Sequence, residues 1–184
     1  MELNSLDGNI IGVISNDYKL EDLSGKKVGD IVLKKTEAAL KMVDFTEDVL
    51  DIDFDSLSIG NQNRVRLASK LQDNCIILVN FSVGLTLKDM EFFKKLFKRI
   101  SSYGKKIILV DRNTNLLFNL VDKIYVINNS IVYETDDMFD KTLEQYVDLP
   151  LIVQFIHKCE DKGIKLNHYN EIHELLKAIY RIKS

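Results

Sequence analysis

Short apolar runs rich in isoleucine and valine alternate along this sequence with longer amphipathic stretches. Such runs are typical of strands buried on both faces of a parallel sheet, and the stretches between them are typical of helices that cover it. The pattern therefore predicts an α/β fold with a mostly parallel sheet. The predicted strands span residues 9–14, 75–80, 106–110, 123–127 and 130–133.

The predicted helices lie between these strands and after the last one. Residues 86–103 give the clearest pattern, because Met90, Phe93 and Phe97 recur at helical spacing. After residue 135 the β-branched runs stop, and Gly163 separates two further helical patterns. We therefore predict a core at residues 1–135 and a helical tail at residues 136–184. The other predicted helices span residues 36–43, 60–71, 114–121, 149–162 and 170–182.

Charge and composition exclude several classes of function. The 184 residues carry 25 Lys+Arg and 28 Asp+Glu, so the net charge of −3 gives no overall positive field for nucleic acid. The apolar runs are far shorter than the roughly 20 residues that span a bilayer. The first residues lack a basic start and an apolar run, which a secretory signal would have. We expect a cytoplasmic chain without a nucleic-acid partner.

Four short motifs follow one another closely within residues 57–113. They read LSIGN at 57–61, IILVNF at 76–81, GLT at 84–86 and IILVDRN at 107–113. In this order they resemble the LSGGQ signature, the Walker B strand, the D-loop and the switch strand of ATP-binding cassette (ABC) ATPases. The resemblance implies a P-loop NTPase core, closed by a hairpin at residues 121–134.

The tail resembles one branch of these ATPases. DLPLIVQFIHKCEDKGIKL at 148–166 and EIHELLKAIYR at 171–181 are similar to the C-terminal helices of the ATPase subunits of energy-coupling factor (ECF) transporters. Residues 7–23 resemble the strand that enters a Walker A loop, and residues 26–32 resemble what remains of the strand before the Q-loop. The first strands and most of the helical subdomain are missing, so the resemblance implies a truncated cassette.

The Walker A position lacks the residues that bind phosphate. A phosphate-binding loop needs glycines, whose backbone N–H groups turn inward, and a lysine that holds the β and γ phosphates. No glycine lies between Ser15 and Leu23, and Glu21 stands at about the position of the lysine. Acidic side chains in this segment would repel phosphate.

The remaining catalytic positions that the resemblance implies are replaced as well. Val79 stands where a carboxylate holds Mg²⁺, and Asn80 where a second carboxylate orients water. Valine does not bind a hard cation and an amide is no general base. Thr86 replaces the D-loop aspartate and Arg112 the switch histidine. The sequence predicts a pseudo-ATPase with no catalytic residue and no metal site.

The signature motif is better preserved. Ser58 and Gly60 keep its hydroxyl and second glycine, Arg64 keeps the basic residue downstream, and Asn61 replaces glutamine. In cassette dimers this motif closes over ATP that the other subunit holds, so these four residues are candidates for nucleotide contact in trans. A structural interpretation stays open, in which Ser58 only caps the following helix.

Three further side-chain questions concern charge. With no phosphate cradle in this chain, we expect Arg112 to form a salt bridge with Asp111 or Asp122. The histidines do not form a coherent ligand set, so we expect them to be exposed or satisfied by hydrogen bonds. The lysine-rich face of the helix at 86–103 is expected to be solvated.

The resemblance implies a function through a partner. We expect a non-hydrolytic subunit that pairs with a second ABC-type ATPase or with itself, in an ECF-type transporter with a membrane component. Such a chain would lie at the inner face of the plasma membrane through its partner. The alternative is a soluble regulatory or interaction protein that reuses the scaffold. No bound cofactor is predicted, and weak ATP binding stays open.

Overall fold

The structure is a computed structural model that describes residues 2–182. Met1 of the predicted core and Lys183 and Ser184 of the predicted tail therefore lie outside the described residues. The described chain forms a five-stranded sheet in the order β2-β3-β1-β4-β5. The strands are β1 (Ile10–Ile14), β2 (Cys75–Val79), β3 (Lys106–Val110), β4 (Lys123–Asn128) and β5 (Ser130–Thr135).

Helices connect the strands and follow the last one. They are α1 (Val28–Ile31), α2 (Thr36–Met42), α3 (Ile59–Lys70), α4 (Leu87–Ser102), α5 (Thr114–Leu117), α6 (Leu151–Asp161) and α7 (Ile172–Ile182). Short 3₁₀ helices lie at Leu3–Ser5, Glu47–Val49, Phe54–Ser56 and Lys141–Gln145.

The strand β1 occupies the centre of the sheet. It pairs in parallel with β3 on one side and with β4 on the other, and β2 pairs in parallel with β3. Only the hairpin β4–β5 is antiparallel. This arrangement brings the carboxyl ends of β1, β2 and β3 to one edge of the sheet, where α/β proteins bind ligands.

The two faces of the sheet are covered unequally. One face carries the main core, in which Phe93 and Phe97 of α4 surround Phe81 with edge-to-face ring contacts at 4.9 and 5.4 Å. The other face has a smaller apolar cluster. Apart from strand residues, its buried side chains are Leu3 and Leu6 of the N-terminal segment. Side chains of β2 on this second face stay half-buried.

The predicted α/β class with a mostly parallel sheet is confirmed, and each predicted strand and helix has an observed counterpart. The predicted helix at 114–121 ends at Leu117, because Phe118 turns to an extended conformation and contacts the Phe139 ring at 6.0 Å. Pro150 precedes α6 as its N-cap residue rather than lying within its first turn.

The strand remnant suggested at residues 26–32 is wrong. Val28–Ile31 forms one helical turn, whose Val28 and Gly29 N–H groups donate to the carbonyls of Ile52 and Leu50. Only Lys27 keeps an extended contact, as an isolated bridge to Asp53. Because this segment pairs with a loop instead of a neighbouring strand, no ladder holds it extended.

The tail packs on the same core as the sheet. Val153 and Ile156 of α6 and Leu175 of α7 are buried in the cluster that contains Ile14, Ile76 and the other main-core residues of the strands. The boundary at residue 135 stays a prediction. What the structure adds is that the hydrophobic packing continues across it.

Candidate functional site

The segment that follows β1 is coil from residue 15 to residue 26. No helix begins at the end of β1, so this segment offers neither the aligned N–H groups nor the dipole of a helix N-terminus to an anion. The Asp17 carboxylate accepts the N–H of Asn129 at 2.9 Å, which ties the coil to the β4–β5 turn. The geometry after β1 is therefore not that of a phosphate-binding loop.

Glu21, which the resemblance aligns approximately with the Walker A lysine, lies in the exposed part of this coil. Its backbone carbonyl accepts a hydrogen bond from Arg66 Nη1 at 2.6 Å, and its carboxylate lies 3.8 Å from Lys70 Nζ. Both partners belong to α3, so the coil is held against that helix.

The end of β2 carries no carboxylate. Val79 is its last residue and is half-buried. Asn80 adopts a left-handed conformation with φ 49°, and its N–H donates to the carbonyl of Val110 at 2.8 Å. Asn80 therefore begins a tight turn at the end of the strand, and its side chain is exposed.

The carboxylate at the end of the neighbouring strand β3 is used internally. Asp111 is only 4% exposed, and it accepts the N–H and the hydroxyl of Ser82 at 2.8 Å each and the N–H of Asn113 at 2.9 Å. These bonds join the loop after β2 to the end of β3. Asp111 thus braces the loop and is not presented to a ligand.

The start of α3 is fastened to the loop after β2. A Cβ atom on Gly60 would lie 2.5 Å from the carbonyl oxygen of Gly84, so the two backbones approach as closely as only glycine permits. Asn63, which is 3% exposed, donates from Nδ2 to the carbonyls of Phe81 and Val83 at 3.1 and 3.0 Å. The signature-like and D-loop-like segments are therefore in direct contact.

Ser58 is the N-cap of α3. Its hydroxyl oxygen accepts the N–H of Asn61 at 3.4 Å, as the structural interpretation expects, and the side chain is exposed. The side chain of Ile59 next to it is 55% exposed. An exposed hydroxyl and an exposed apolar side chain thus stand together at the N-terminus of this helix.

Arg64 is engaged within the chain. Its Nη1 donates to the carbonyl of Val43 at 2.8 Å, its Nη2 pairs with the Asp89 carboxylate, and its guanidinium lies 5.0 Å from the centre of the Phe93 ring. The side chain is 13% exposed. Arg64 is the one charged residue among the four candidates for contact in trans, and its charge is therefore already paired within the chain.

Thr86, at the D-loop position, begins α4 with a capping box. The Thr86 hydroxyl donates to the Asp89 carboxylate at 2.7 Å, and the Asp89 N–H donates back to that hydroxyl at 3.2 Å. The pKa of Asp89 is lowered, chiefly by this hydrogen bond from Thr86 and further by Arg64. The residue at this position serves the helix start.

The salt bridge expected for Arg112 is wrong. Its Nη2 donates to the carbonyl of Tyr146 at 3.0 Å. Asp111 is occupied as described above, and the Asp122 carboxylate accepts the N–H groups of Asn9 and Ile10 at 2.9 Å each. Arg112 lines a cleft of about 410 Å³ between the end of β1 and the β4–β5 hairpin. Glu21 and Val79 instead line a groove beside β2.

His157 in the tail is satisfied by contacts within the chain, which is one of the two states expected of the histidines, although its burial was not predicted. His157 Nδ1 contacts the Glu144 carboxylate, and Nε2 lies 2.9 Å from the carbonyl of Phe139. Helical spacing places His157 on the buried side of α6 beside Val153 and Ile156, which is the signal that could have found it. Asn63 gives the same kind of signal, as a polar residue on the buried face of α3.

Residues 2–182 offer neither a metal site nor a membrane span. No group of three or more His, Cys, Asp or Glu in this range is arranged to hold a metal ion. Within the same residues, no helix is long and apolar enough to cross a bilayer.

The chain is similar in sequence to proteins of known families. The chain is 29% identical over 165 residues to the energy-coupling factor transporter ATP-binding protein EcfA2 of Spiroplasma kunkelii, covering 84% of this chain and 54% of the relative. It is 26% identical over 190 residues to the corresponding protein EcfA of Malacoplasma penetrans, covering 96% of this chain and 64% of the relative. The chain spans about half the length of the first of these relatives and less than two thirds of the second.

A solved structure supports the fold. The ATP-binding cassette MJ0796, in a dimeric post-hydrolysis state bound to ADP and Pi, matches with a TM-score of 0.55 and 20% identity, over 74% of this chain and 70% of that chain. No protein-family model matches the sequence. The predicted resemblance to cassette ATPases of the energy-coupling factor type is confirmed by the relatives and by the fold.

Proposed function

We propose that this chain, which has the fold of ABC ATPases and is related in sequence to ECF transporter ATP-binding proteins, is a subunit that does not hydrolyse ATP. The observation that carries the proposal is what stands at the carboxyl ends of two strands, the central strand β1 and the edge strand β2. β1 runs into coil that has no glycine before Gly25 and begins no helix, and β2 ends at Val79, which Asn80 follows.

Phosphoryl transfer depends on positioning and electrostatic stabilisation more than on covalent chemistry. Losing one preorganised donor typically costs about 10²–10³ in rate. Here the backbone cradle, the lysine, the metal carboxylate and the water-orienting carboxylate are all replaced. Asp111, the one buried carboxylate at the carboxyl ends of the strands among residues 2–182, already accepts three hydrogen bonds. Hydrolysis by this chain alone would therefore stay at the background rate.

The function we propose is pairing with an ATPase, within a transporter of the ECF type. In that role the start of α3 would face a nucleotide held by the partner. Ser58 is exposed there and Asn61 is half-buried, whereas Arg64 is held by Asp89 and Val43. We expect Ser58 and Asn61 to supply any contact in trans, and the chain to lie at the membrane only through its partners.

The first test is phosphate release by the purified chain with ATP and Mg²⁺. We expect no release above the buffer rate, under conditions in which an ATPase with complete Walker motifs turns over. The double variant Val79→Ala, Asn80→Ala is the matched control, because a contaminating ATPase would give the same rate with both proteins. Turnover that this variant abolishes would contradict the proposal.

The second test is a titration with fluorescently labelled ATP, with and without Mg²⁺. We expect weak binding that Mg²⁺ does not strengthen, because no carboxylate stands at the end of β2 to hold the ion's water shell. Tight binding that requires Mg²⁺ would show that a site for the metal nucleotide exists.

Pairing is tested by co-expression with an ECF-type ATPase and its membrane subunit. Recovery of a complex is expected, and Ser58→Arg is expected to slow hydrolysis by the partner. Ser102→Arg, at the exposed C-terminal end of α4, serves as a matched surface control. If Ser58→Arg leaves the partner's rate of hydrolysis unchanged, the proposed contact in trans is contradicted.

One observation favours the alternative, an interaction protein without a transporter. Between β1 and α3 the described chain has short helical segments, among them α1 of 4 residues and α2 of 7 residues. The resemblance implies that a helical subdomain docks the membrane component at this place. Pairing with an ATPase but not with the membrane subunit would support this alternative.

A further inference from the structure

The strand β2 is an edge of the sheet within the described residues. β3 is its neighbour on one side, and the sheet order places no strand on the other. It consists of the five apolar residues CIILV, without a proline, a charge or a bulge. Those are the devices by which proteins usually protect an edge from pairing with another strand.

Hydrogen bonds at the two ends of β2 establish which peptide groups face β3. The Lys106 N–H donates to the carbonyl of Asn74 at 2.9 Å, and the Asn80 N–H donates to the carbonyl of Val110 at 2.8 Å. Because the peptide groups of every second residue point to the same side of a strand, the even-numbered residues bond to β3. The N–H and C=O groups of Cys75, Ile77 and Val79 therefore point outward.

Two of these residues, Ile77 and Val79, line the floor of a groove of about 360 Å³. One wall is α3, with Asn63, Arg66 and Lys70, and the other is formed by Leu3 and the coil at residues 18–21. Among the described residues, no hydrogen bond reaches the backbone of Cys75, Ile77 or Val79 from this side. The coil bonds to α3 through Arg66 and leaves the strand edge unpaired.

We propose that this groove binds an extended segment of a partner protein, which adds a strand to the sheet beside β2. Only an extended backbone presents N–H and C=O groups at the spacing that satisfies those of β2. This inference does not depend on the function proposed above, because backbone pairing beside β2 requires no nucleotide.

The walls of the groove indicate the side chains that such a segment carries. Half-buried Ile77 and Val79 form an apolar floor, next to the exposed Leu20. Lys19, Arg66 and Lys70 outnumber Glu21 among the charged residues of the lining. Since side chains alternate between the two faces of a strand, the groove favours a segment in which apolar and acidic residues alternate.

The test measures binding of a fluorescein-labelled synthetic peptide, Glu-Val-Glu-Val-Glu-Val-Glu, to the full chain by fluorescence anisotropy. Three comparison peptides separate the contributions. One has lysine in place of each glutamate, one is N-methylated throughout and so lacks backbone donors, and one has the same composition in a scrambled order. We expect the acidic alternating peptide to bind at least about tenfold more tightly than each of the three.

The matched variants are Ile77→Pro and Ile77→Thr. Proline removes the central outward N–H, and an edge strand tolerates proline where the N–H faces away from the sheet. Threonine keeps the N–H and the β-branched shape. We expect Ile77→Pro to weaken peptide binding at least about tenfold and Ile77→Thr to change it by less than about threefold. Circular dichroism verifies that both variants are folded.

Several results would overturn the proposal. Equal binding of the N-methylated peptide would show that backbone pairing is not involved, and this comparison holds even if Ile77→Pro does not fold. Equal binding of the lysine peptide would refute the role of the basic walls. A dimer in sedimentation equilibrium that Ile77→Pro dissociates, together with no peptide binding, would show that a second copy of this chain occupies the edge instead.

Discussion

Asn63 holds the start of α3 to the loop after β2, and its replacement by alanine gives the most direct test of this junction. Its side-chain amide is 3% exposed and donates to the carbonyls of Val83, Phe81 and Asn80 at 3.0, 3.1 and 3.4 Å. Within the described residues, no other side chain donates to these carbonyls. Asn63→Ala would therefore leave them without that donor.

The expected loss follows from these distances. The two shorter bonds have normal geometry, and each contributes about 1 kcal/mol net, while the bond at 3.4 Å adds little. The small cavity left by the amide adds to this cost. We expect Asn63→Ala to lower the free energy of unfolding by about 2–3 kcal/mol, a large part of the 5–15 kcal/mol typical of a domain. Asn63→Asp, which places a carboxylate opposite the same carbonyls, should cost more than about 3 kcal/mol.

The measurement is urea unfolding followed by far-ultraviolet circular dichroism, with linear extrapolation to water. The matched control is Asn61→Ala, in the same helix, which should stay within about 0.5 kcal/mol of the original chain. If Asn63→Ala also stays within about 0.5 kcal/mol, with an unchanged dependence on urea, the amide does not fasten the loop and the reasoning is refuted.

Three further predictions concern stability. Gly84→Ala should destabilise the chain by about 2 kcal/mol or more in the same urea assay. The reason is that Gly84 has a φ of 77° and that a Cβ there would lie 2.7 Å from the Gly60 backbone nitrogen. A neutral effect would contradict this close approach. Asp89→Asn should lose about 1 kcal/mol at pH 7. The Thr86 hydroxyl lowers the pKa of Asp89 in the fold, so the carboxylate's contribution is complete above its ordinary pKa of about 3.9 and is lost as the pH falls below it. Thermal unfolding from pH 7 to pH 3 should therefore show the difference between the two proteins shrinking, and a constant difference would count against the capping role. His157→Ala should lower the free energy of unfolding by about 3 kcal/mol, because it empties a buried site and removes both ring contacts, to Glu144 and to a backbone carbonyl. His157→Asn keeps a polar group there and should lower it by less. Equal losses for the two variants would show that side-chain volume alone matters.

The element pattern could be predicted because hydrophobic periodicity is a local property. Apolar runs gave the five strands to within two residues at each end, and the helical spacing in residues 86–103 gave α4 to within one residue. The errors lie where distant contacts override the local pattern. Phe118 leaves the helical path because Phe139 lies beside it, and residues 28–31 form a turn because they face a loop.

The sequence predicted which residue types stand in the candidate site, but not which groups they contact. The replacements Val79, Asn80 and Glu21 are read directly from the sequence, since a side chain either carries a carboxylate or does not. Which group each charge contacts depends on residues far apart along the chain. Arg112 shows the difference, because the carboxylates expected to pair with it are already taken by backbone N–H groups and a serine.

The amino-acid sequence by itself determined the α/β class, the motif order and the residue types at Glu21, Val79 and Asn80, because these depend on residue type and near-neighbour spacing. Only the tertiary structure decided that Gly60 lies against Gly84, that Arg64 is paired within the chain and that β2 has an unpaired edge. Those features arise from the order of strands in the sheet and from contacts between distant segments. Periodicity along the chain carries no information about either.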